Sequence, residues 1–326
     1  MRTPLRIGIA AIIIIIILWI KSHLDLIQDQ WEQLRGSSPA LDAGIKESTG
    51  SAESSVVDSD RKANSFVDSQ PEPFTPDPTP SEQTLPSATS PSTETITPGD
   101  RIIVVGKLKD EDTDWVINEL PDWQHAIYTV DDPEATLRPP KNKGRESNVY
   151  LQYIIDNYDN LPSIIVFLHS HRDGYPRAWH TEFEEHDNVL NVRMLQLDFI
   201  QRNGYANLRC NFIPGCPDEI QPFRNPRDEW RTAEHAFADA WRALFNNSDI
   251  PEVVATPCCS QFAVSSAQVR KRPLSSYIWF QKWLLETELP DDVSGRIMEY
   301  LWHIIFGQDP VYCPELDQCY RDVYGL

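Results

Sequence analysis

Positive charge is scarce in this sequence: 29 Lys and Arg stand against 49 Asp and Glu, which gives a formal net charge of −20. Nucleic-acid binders need an excess of Lys and Arg to contact phosphates, so the charge argues against that class. The chain has no C-x-x-C pair, which argues against a zinc ribbon. No small-x-small cleavage site follows the apolar N-terminal run, which disfavours a cleaved secretory signal.

That apolar run, IGIAAIIIIIILWI at residues 7–20, is the main feature of the N-terminus, and Arg2 and Arg6 precede it. It is shorter than the roughly 20 residues of a typical transmembrane helix, which suits the thinner membranes of the early secretory pathway. The basic residues hold the N-terminus in the cytoplasm. We therefore predict a single-pass type II membrane protein with a cytoplasmic tail (1–6) and a transmembrane signal anchor (7–24). A cleaved signal is the alternative.

The composition changes after the predicted anchor. Residues 71–98 alone hold 8 Pro and 11 Ser or Thr. Such a segment cannot bury enough apolar surface to offset its ordering entropy. We predict a disordered Ser/Thr/Pro-rich stalk (25–100) that carries a single globular domain (101–326) in the lumen of the Golgi or another secretory compartment.

The cysteines agree with a luminal domain, because disulfides persist in oxidising compartments. The first two and the last two cysteines are close enough in sequence for local loops, and the adjacent central pair is expected to reach separate partners. Six cysteines allow fifteen pairings, so the connectivity stays open. The N-glycosylation sequon at Asn246 would face the lumen. The six residues are Cys210, Cys216, Cys258, Cys259, Cys313 and Cys319.

The domain opens with apolar runs that alternate with helical patterns. Runs at 101–105, 125–130 and 163–169 are typical of buried strands, and the segments at 112–121 and 143–162 have helical spacing. We predict an α/β fold whose N-terminal half is a βαβαβ unit with a parallel sheet.

The second half is predicted to be mostly helical. The segment 226–245 places Trp230, Phe237 and Trp241 on one face, and 294–307 is expected to be a single helix that stops at Gly307. The short run CCSQFAV at 258–264 is predicted to form a strand.

The topology indicates where ligands bind, because open α/β sheets bind them beyond the carboxyl ends of their strands. Lys107 follows the first strand, and Asp131 and Asp132 follow the second. The acidic pair could hold a ribose or a metal, or could form the turn that the next proline favours. Lys141, Lys143 and Arg145 at a helix start could receive a phosphate, or could form an ordinary solvated loop. Glu146 could cap that helix or act as a ligand. The candidate cofactor-binding residues are Lys107, Asp131, Asp132, Lys143, Arg145 and Glu146.

The third strand ends in FLHSHRDGYPRAWH (167–180), which supplies candidate metal ligands. His169 and His171 are alternate residues of an extended segment and point the same way, and Asp173 and His180 lie within reach of the same loop. Histidines that bond to backbone carbonyls would have the same pattern. Trp179 could stack on a sugar or pack in the core.

Glu299 and His303 are candidate catalytic residues, because a spacing of four places them on one helix face as a base and its partner. An exposed i,i+4 pair is the alternative interpretation.

Several longer segments of the chain form a distinctive set: NKGRESNVYLQYIIDNYDNLPSIIVFLHSH, GYANLRCNFIPGCP, CCSQFAV, YIWFQKWLLET and SGRIMEYLWHIIFG. Together they resemble the fungal domain-of-unknown-function family 3431, over about 101–326. The second half is also loosely similar to GT-A glycosyltransferases. That similarity implies a nucleotide-binding α/β half, Glu299 as the base, and His169 and His171 near the position of the metal-binding D-x-D motif.

We therefore expect a glycosyltransferase-like enzyme that uses a nucleotide sugar and a glycan acceptor, with or without a divalent metal. A non-catalytic carbohydrate or cell-wall binding module and a metal-dependent hydrolase are the alternatives.

Overall fold

A mixed five-stranded sheet organises the chain in the computed structural model, which describes residues 99–326. The predicted tail, anchor and nearly all of the predicted stalk lie outside the described residues. Within residues 99–326, no helix has both the length and the apolarity needed to cross a bilayer.

The strand order is β2-β1-β3-β5-β4. β1 pairs in parallel with both β2 and β3, whereas β5 pairs antiparallel with both β3 and β4. All five residues of β3 are buried, as expected for a central strand that is covered on both faces. The strands are β1 (Arg101–Lys107), β2 (Gln124–Thr129), β3 (Ile164–Leu168), β4 (Tyr205–Asn207) and β5 (Phe262–Ser265).

The expectation of a parallel sheet followed by a mostly helical half is too simple, because the second half adds two strands to the same sheet. β5 lies directly beside β3, and its four residues are all buried. An apolar run indicates that a strand is buried but carries no information about its direction. The sequence therefore predicted a strand near β5 and could not show that it runs antiparallel.

Ten α-helices accompany the sheet in the described part of the chain. A 3₁₀ turn at Tyr158–Asn160 extends α2, and a π-helical turn at Tyr320–Tyr324 follows α10. The helices are α1 (Asp114–Glu119), α2 (Ser147–Asn157), α3 (Asn188–Arg193), α4 (Leu197–Asn203), α5 (Thr232–Phe245), α6 (Ser266–Val269), α7 (Leu274–Glu286), α8 (Asp291–Glu299), α9 (Trp302–Ile305) and α10 (Leu316–Cys319).

Apolar side chains fill both faces of the sheet. Ile102 and Val104 of β1 join a core formed with α2, α5, α7, α8 and α9. Ile103 and Val105 point to the opposite face, where α1, α3, α4 and the C-terminal turn pack. This alternation follows from the two-residue period of a strand. The result is a three-layer α/β arrangement with both faces covered.

Two helix predictions need correction. Trp230 was expected on the inner face of a helix at 226–245, but α5 begins at Thr232 and Trp230 is 93% exposed. The predicted helix at 294–307 is divided into α8 and α9, because Tyr300 leaves helical geometry. Tyr300 and Leu301 are both fully buried. In one continuous helix these two neighbours would point to different faces, so the change of direction at Tyr300 helps to bury both side chains.

The disulfides differ from both sequence expectations. Cys210 pairs with Cys319 and Cys216 with Cys313, so these four form no local loops. The adjacent Cys258 and Cys259 bond to each other. The two long-range bonds tie the C-terminal segment to the loop after β4. Sequence spacing could not show this pairing, because it depends on how the fold returns the C-terminus to that loop.

Candidate active site

A cavity of about 310 Å³ opens at the carboxyl ends of β1 and β3, the edge where the topology predicted a ligand site. Three parts of the chain form most of its wall: the two strand ends, the start of α2, and the loop after β3. Its lining residues are Gly106, Lys107, Leu108, Glu111, Val130, Asn142, Arg145, Glu146, His169, Ser170, His171, Arg177 and His180.

Local packing sets the position of this wall. The indole N–H of Trp115 donates to the carbonyl of Ser170 at 3.0 Å and ties α1 to the end of β3. Arg145 has a left-handed φ of 55°, and its stem packs on α8 where Gly295 lacks a side chain. A Cβ at Gly295 would lie 3.1 Å from the Arg145 Cδ, so this glycine permits the close approach.

His169 and His180 form a direct pair on the cavity wall. Their Nδ1 and Nε2 atoms are 2.7 Å apart, and the backbone N–H of His169 donates to Gln261 Oε1 at 3.0 Å. Burial lowers the pKa of His169 to about 4 and that of His180 to about 2. Both rings are therefore neutral at pH 7, and one ring donates its N–H to the other.

Burial raises the pKa of two carboxyl groups, Glu146 and Glu299, and the charge of Glu146 acts on Glu299. Burial raises the pKa of Glu146, which lines the cavity, against the opposing effects of the Ser260 hydroxyl and Arg145. Burial also raises the pKa of Glu299 to about 7, opposed by Arg296 and reinforced by the charge of Glu146. A carboxyl group whose pKa is raised to about 7, as for Glu299, is suited to proton transfer.

Of the predicted anion-binding residues, Lys107 and Arg145 line the cavity. Lys143 does not: its Nζ donates to the carbonyl of Leu289 and lies 3.2 Å from Asp291 Oδ1, which fixes the start of α8.

The predicted acidic pair serves a turn. The backbone N–H of Lys109 donates to Asp131 at 2.8 Å, and the Lys109 Nζ is 2.9 Å from Asp132. Asp132 also accepts from the backbone N–H of Glu134 at 3.0 Å. These contacts correspond to the turn-forming alternative.

Three further candidate residues, Asp173, His171 and His303, each have a different partner in the structure. Asp173 pairs with Arg172, away from the wall that carries His169. His171 lines the cavity, and its Nε2 lies 3.8 Å from Glu111 Oε1. His303 is fully buried, its Nε2 is 3.0 Å from the carbonyl oxygen of Pro310, and burial lowers its pKa to about 4. The break after α8 therefore gives Glu299 and His303 different partners.

Comparison with known protein families assigns this chain to a family. Residues 103–322 match the family described as a protein of unknown function, DUF3431. The chain belongs to this family. No curated protein matches the chain, and no solved structure does.

The geometry of this DUF3431 chain adds site residues that the sequence interpretation missed. Glu111 and Arg177 line the cavity. Glu111 lies within Asp110–Asp114, which contains two overlapping D-x-D patterns directly after β1, and this acidic run was an available signal. Ser260 and Gln261 reach the site from the segment before β5, and only tertiary packing places them there.

Metal binding by His169, His171 and Asp173 stays a prediction. Within residues 99–326, the group whose potential ligand atoms all lie within 4.8 Å of one another is Cys258, Cys259 and Glu299. Both sulfurs of that group are in a disulfide, so they are not thiolate ligands.

Proposed function

We propose that residues 101–326 form the head of a glycosyltransferase-like enzyme that uses a nucleotide sugar. The observation that carries this proposal is the cavity at the ends of β1 and β3, where Lys107, Arg145 and Arg177 line the wall of a protein with a net charge of −20. These three basic side chains suit the diphosphate of a donor, and the same wall also carries Glu111 and Glu146. The cavity position at the strand ends supports the same class of ligand.

One of the two carboxyl groups supplies a base. We assign removal of the acceptor hydroxyl proton to Glu299, because burial raises its pKa to about 7; Glu146 lines the cavity, and its charge contributes to that rise. The acceptor oxygen attacks the anomeric carbon, and the bond from that carbon to the diphosphate oxygen breaks. The nucleoside diphosphate leaves with the electron pair, and the three basic residues stabilise its charge.

A carbohydrate-binding module without catalysis is the second candidate. Trp179 is 38% exposed and lies edge-on to His180, with ring centroids 5.8 Å apart. The Arg209 guanidinium lies 5.1 Å from the centre of the Trp179 ring and restrains it. An exposed, restrained indole beside a cavity is suited to stacking on a sugar.

Arg145→Ala is expected to lower the affinity for a nucleotide sugar about tenfold or more, because a charged contact to phosphate is lost. The measurement is thermal shift and calorimetry of the full chain in detergent with UDP and GDP sugars, with Mn²⁺ and with EDTA. Arg138→Ala is the matched control, since Arg138 is exposed and does not line the cavity. No shift with any nucleotide sugar contradicts the transferase, and glycan binding without a nucleotide supports the module.

The secretory placement is also a proposal, and the disulfides support it. All six cysteines are paired, as expected in an oxidising lumen, and the predicted type II anchor would place the head there.

We expect the Asn246 sequon to be glycosylated in a eukaryotic host, because Asn246 is exposed at the end of α5. Endoglycosidase treatment should therefore increase the mobility of the wild-type chain on a gel. Ser248→Ala removes the sequon without altering Asn246, and its mobility should not change. Equal mobility of untreated wild type and Ser248→Ala would contradict luminal placement.

A further inference from the structure

The segment Cys258–Gln261 has an unusual backbone beside the candidate active site. Cys259 and Ser260 have φ values of 124° and 58°, a region that residues other than glycine rarely adopt. The Cys258 N–H donates to the carbonyl of Pro214 at 3.1 Å. Such a conformation persists where its surroundings hold it in place.

This segment contacts the main titratable groups of the site. Both of its sulfurs lie within 4.8 Å of a Glu299 carboxylate oxygen. Gln261 Oε1 accepts a hydrogen bond from the backbone N–H of His169 at 3.0 Å. The Ser260 hydroxyl lowers the pKa of Glu146, against the effect of burial. This segment of four residues therefore contacts Glu299 and the backbone of His169 and influences Glu146.

We propose that the Cys258–Cys259 disulfide is a reversible redox site that positions these groups. As a disulfide it holds the segment Cys258–Gln261 against Glu299, His169 and Glu146. Its reduction by a dithiol releases the segment and weakens ligand binding at the cavity. The ligand-binding part of this inference rests on the proposed function.

Reduction of the Cys258–Cys259 bond by thiol–disulfide exchange takes two steps. A thiolate of the dithiol attacks the sulfur of Cys259, which is partly exposed, and the bond to Cys258 breaks. Cys258 leaves as a thiolate and takes a proton. The second thiol of the reductant then displaces the Cys259 sulfur, which also takes a proton. Two electrons pass to the protein, and the reductant becomes a disulfide.

The other two disulfides should not share this role. They join residues 109 and 97 apart, so their loss releases long stretches of chain. The Cys258–Cys259 bond joins neighbours and closes no such stretch. Its reduction can therefore alter the site while the fold persists.

The test uses the full chain in detergent. Dithiothreitol is titrated, thiols are blocked with iodoacetamide, and mass spectrometry identifies the modified cysteines. We expect Cys258 and Cys259 to be modified before the other four. At that dithiothreitol concentration, hydrogen exchange should rise in peptides that cover 258–262 and 144–149, and the affinity for UDP should fall about tenfold. Reoxidation with oxidised glutathione should restore both.

The double variant Cys258→Ser/Cys259→Ser is the control. It should bind UDP as weakly as the reduced wild type and should not respond to dithiothreitol. The proposal is overturned if either long-range disulfide is reduced first, or if modification of Cys258 and Cys259 leaves exchange unchanged. It is also overturned if the double variant binds UDP as tightly as the oxidised wild type. Increased exchange without UDP binding in either state supports the positioning role and contradicts the proposed nucleotide ligand.

Discussion

Glu299→Gln is expected to unfold at a higher temperature than the wild type at pH 8 and at the same temperature at pH 4. Burial raises the pKa of Glu299 from 4.5 to about 7, so the folded protein keeps a proton that the unfolded chain releases between these values. The contribution of the protonated Glu299 carboxyl to the free energy of unfolding is fully present below pH 4.5 and is lost as the pH rises through 7. The loss amounts to about 3 kcal/mol, or roughly 6–12 °C for a domain of this size.

Glutamine resembles the protonated carboxyl in shape and charge, so the variant avoids that loss. If Glu299 is also the proposed base, the same variant should lower the transfer rate by roughly 10²–10⁴-fold. We therefore expect Glu299→Gln to be more stable than the wild type at pH 8 and less active in transfer.

Calorimetric unfolding between pH 4 and 9 measures the stability effect, with Glu229→Gln as a matched control, since Glu229 is exposed. The control should follow the wild type at every pH. Equal destabilisation of Glu299→Gln at pH 4 and pH 8 would show that its carboxylate is needed for the fold, and would contradict the raised pKa.

Loss of the Cys210–Cys319 disulfide, in the variant Cys210→Ala/Cys319→Ala, is expected to lower the free energy of unfolding by about 4 kcal/mol. This bond joins residues that are 109 apart, and a cross-link over that length strongly restricts the unfolded chain. Cys210 and Cys319 are also buried in the core beside α3 and α4, so truncation leaves a small void.

Chemical denaturation with intrinsic fluorescence measures this change. The variant Cys258→Ser/Cys259→Ser is the comparison, because its bond joins neighbouring residues and restricts the unfolded chain little. Its free energy of unfolding should stay within about 1 kcal/mol of the wild type. If both variants lose the same stability, loop length does not explain the contribution of Cys210–Cys319.

Local sequence patterns were enough to predict part of the candidate site. The apolar runs of β1 and β3 predicted strands, and the rule for α/β sheets then placed Lys107, His169 and His171 at a ligand site. The cavity lies at these residues. Arg145 and Glu146 also line this cavity, and the flexible basic loop before a helix was the local signal that drew attention to them; their role in binding a cofactor stays a prediction.

Other assignments depended on contacts between distant segments. Lys143 is only two residues from Arg145, yet it turns to the carbonyl of Leu289 and to Asp291. His303 is buried and bonds to the carbonyl of Pro310, because the chain leaves helical geometry at Tyr300. Sequence spacing predicts which residues share a face only while the element continues.

By itself, the sequence determined the buried strands, the membership of the DUF3431 family and the residues at the ends of β1 and β3. Those features depend on local periodicity and residue type. Only the tertiary structure decided that β5 runs antiparallel, that Cys258 bonds to Cys259, and that the charge of Glu146 acts on Glu299. Burial raises the pKa of both carboxyl groups, and burial depends on the packing of α2, α8 and the segment before β5, which are far apart in sequence.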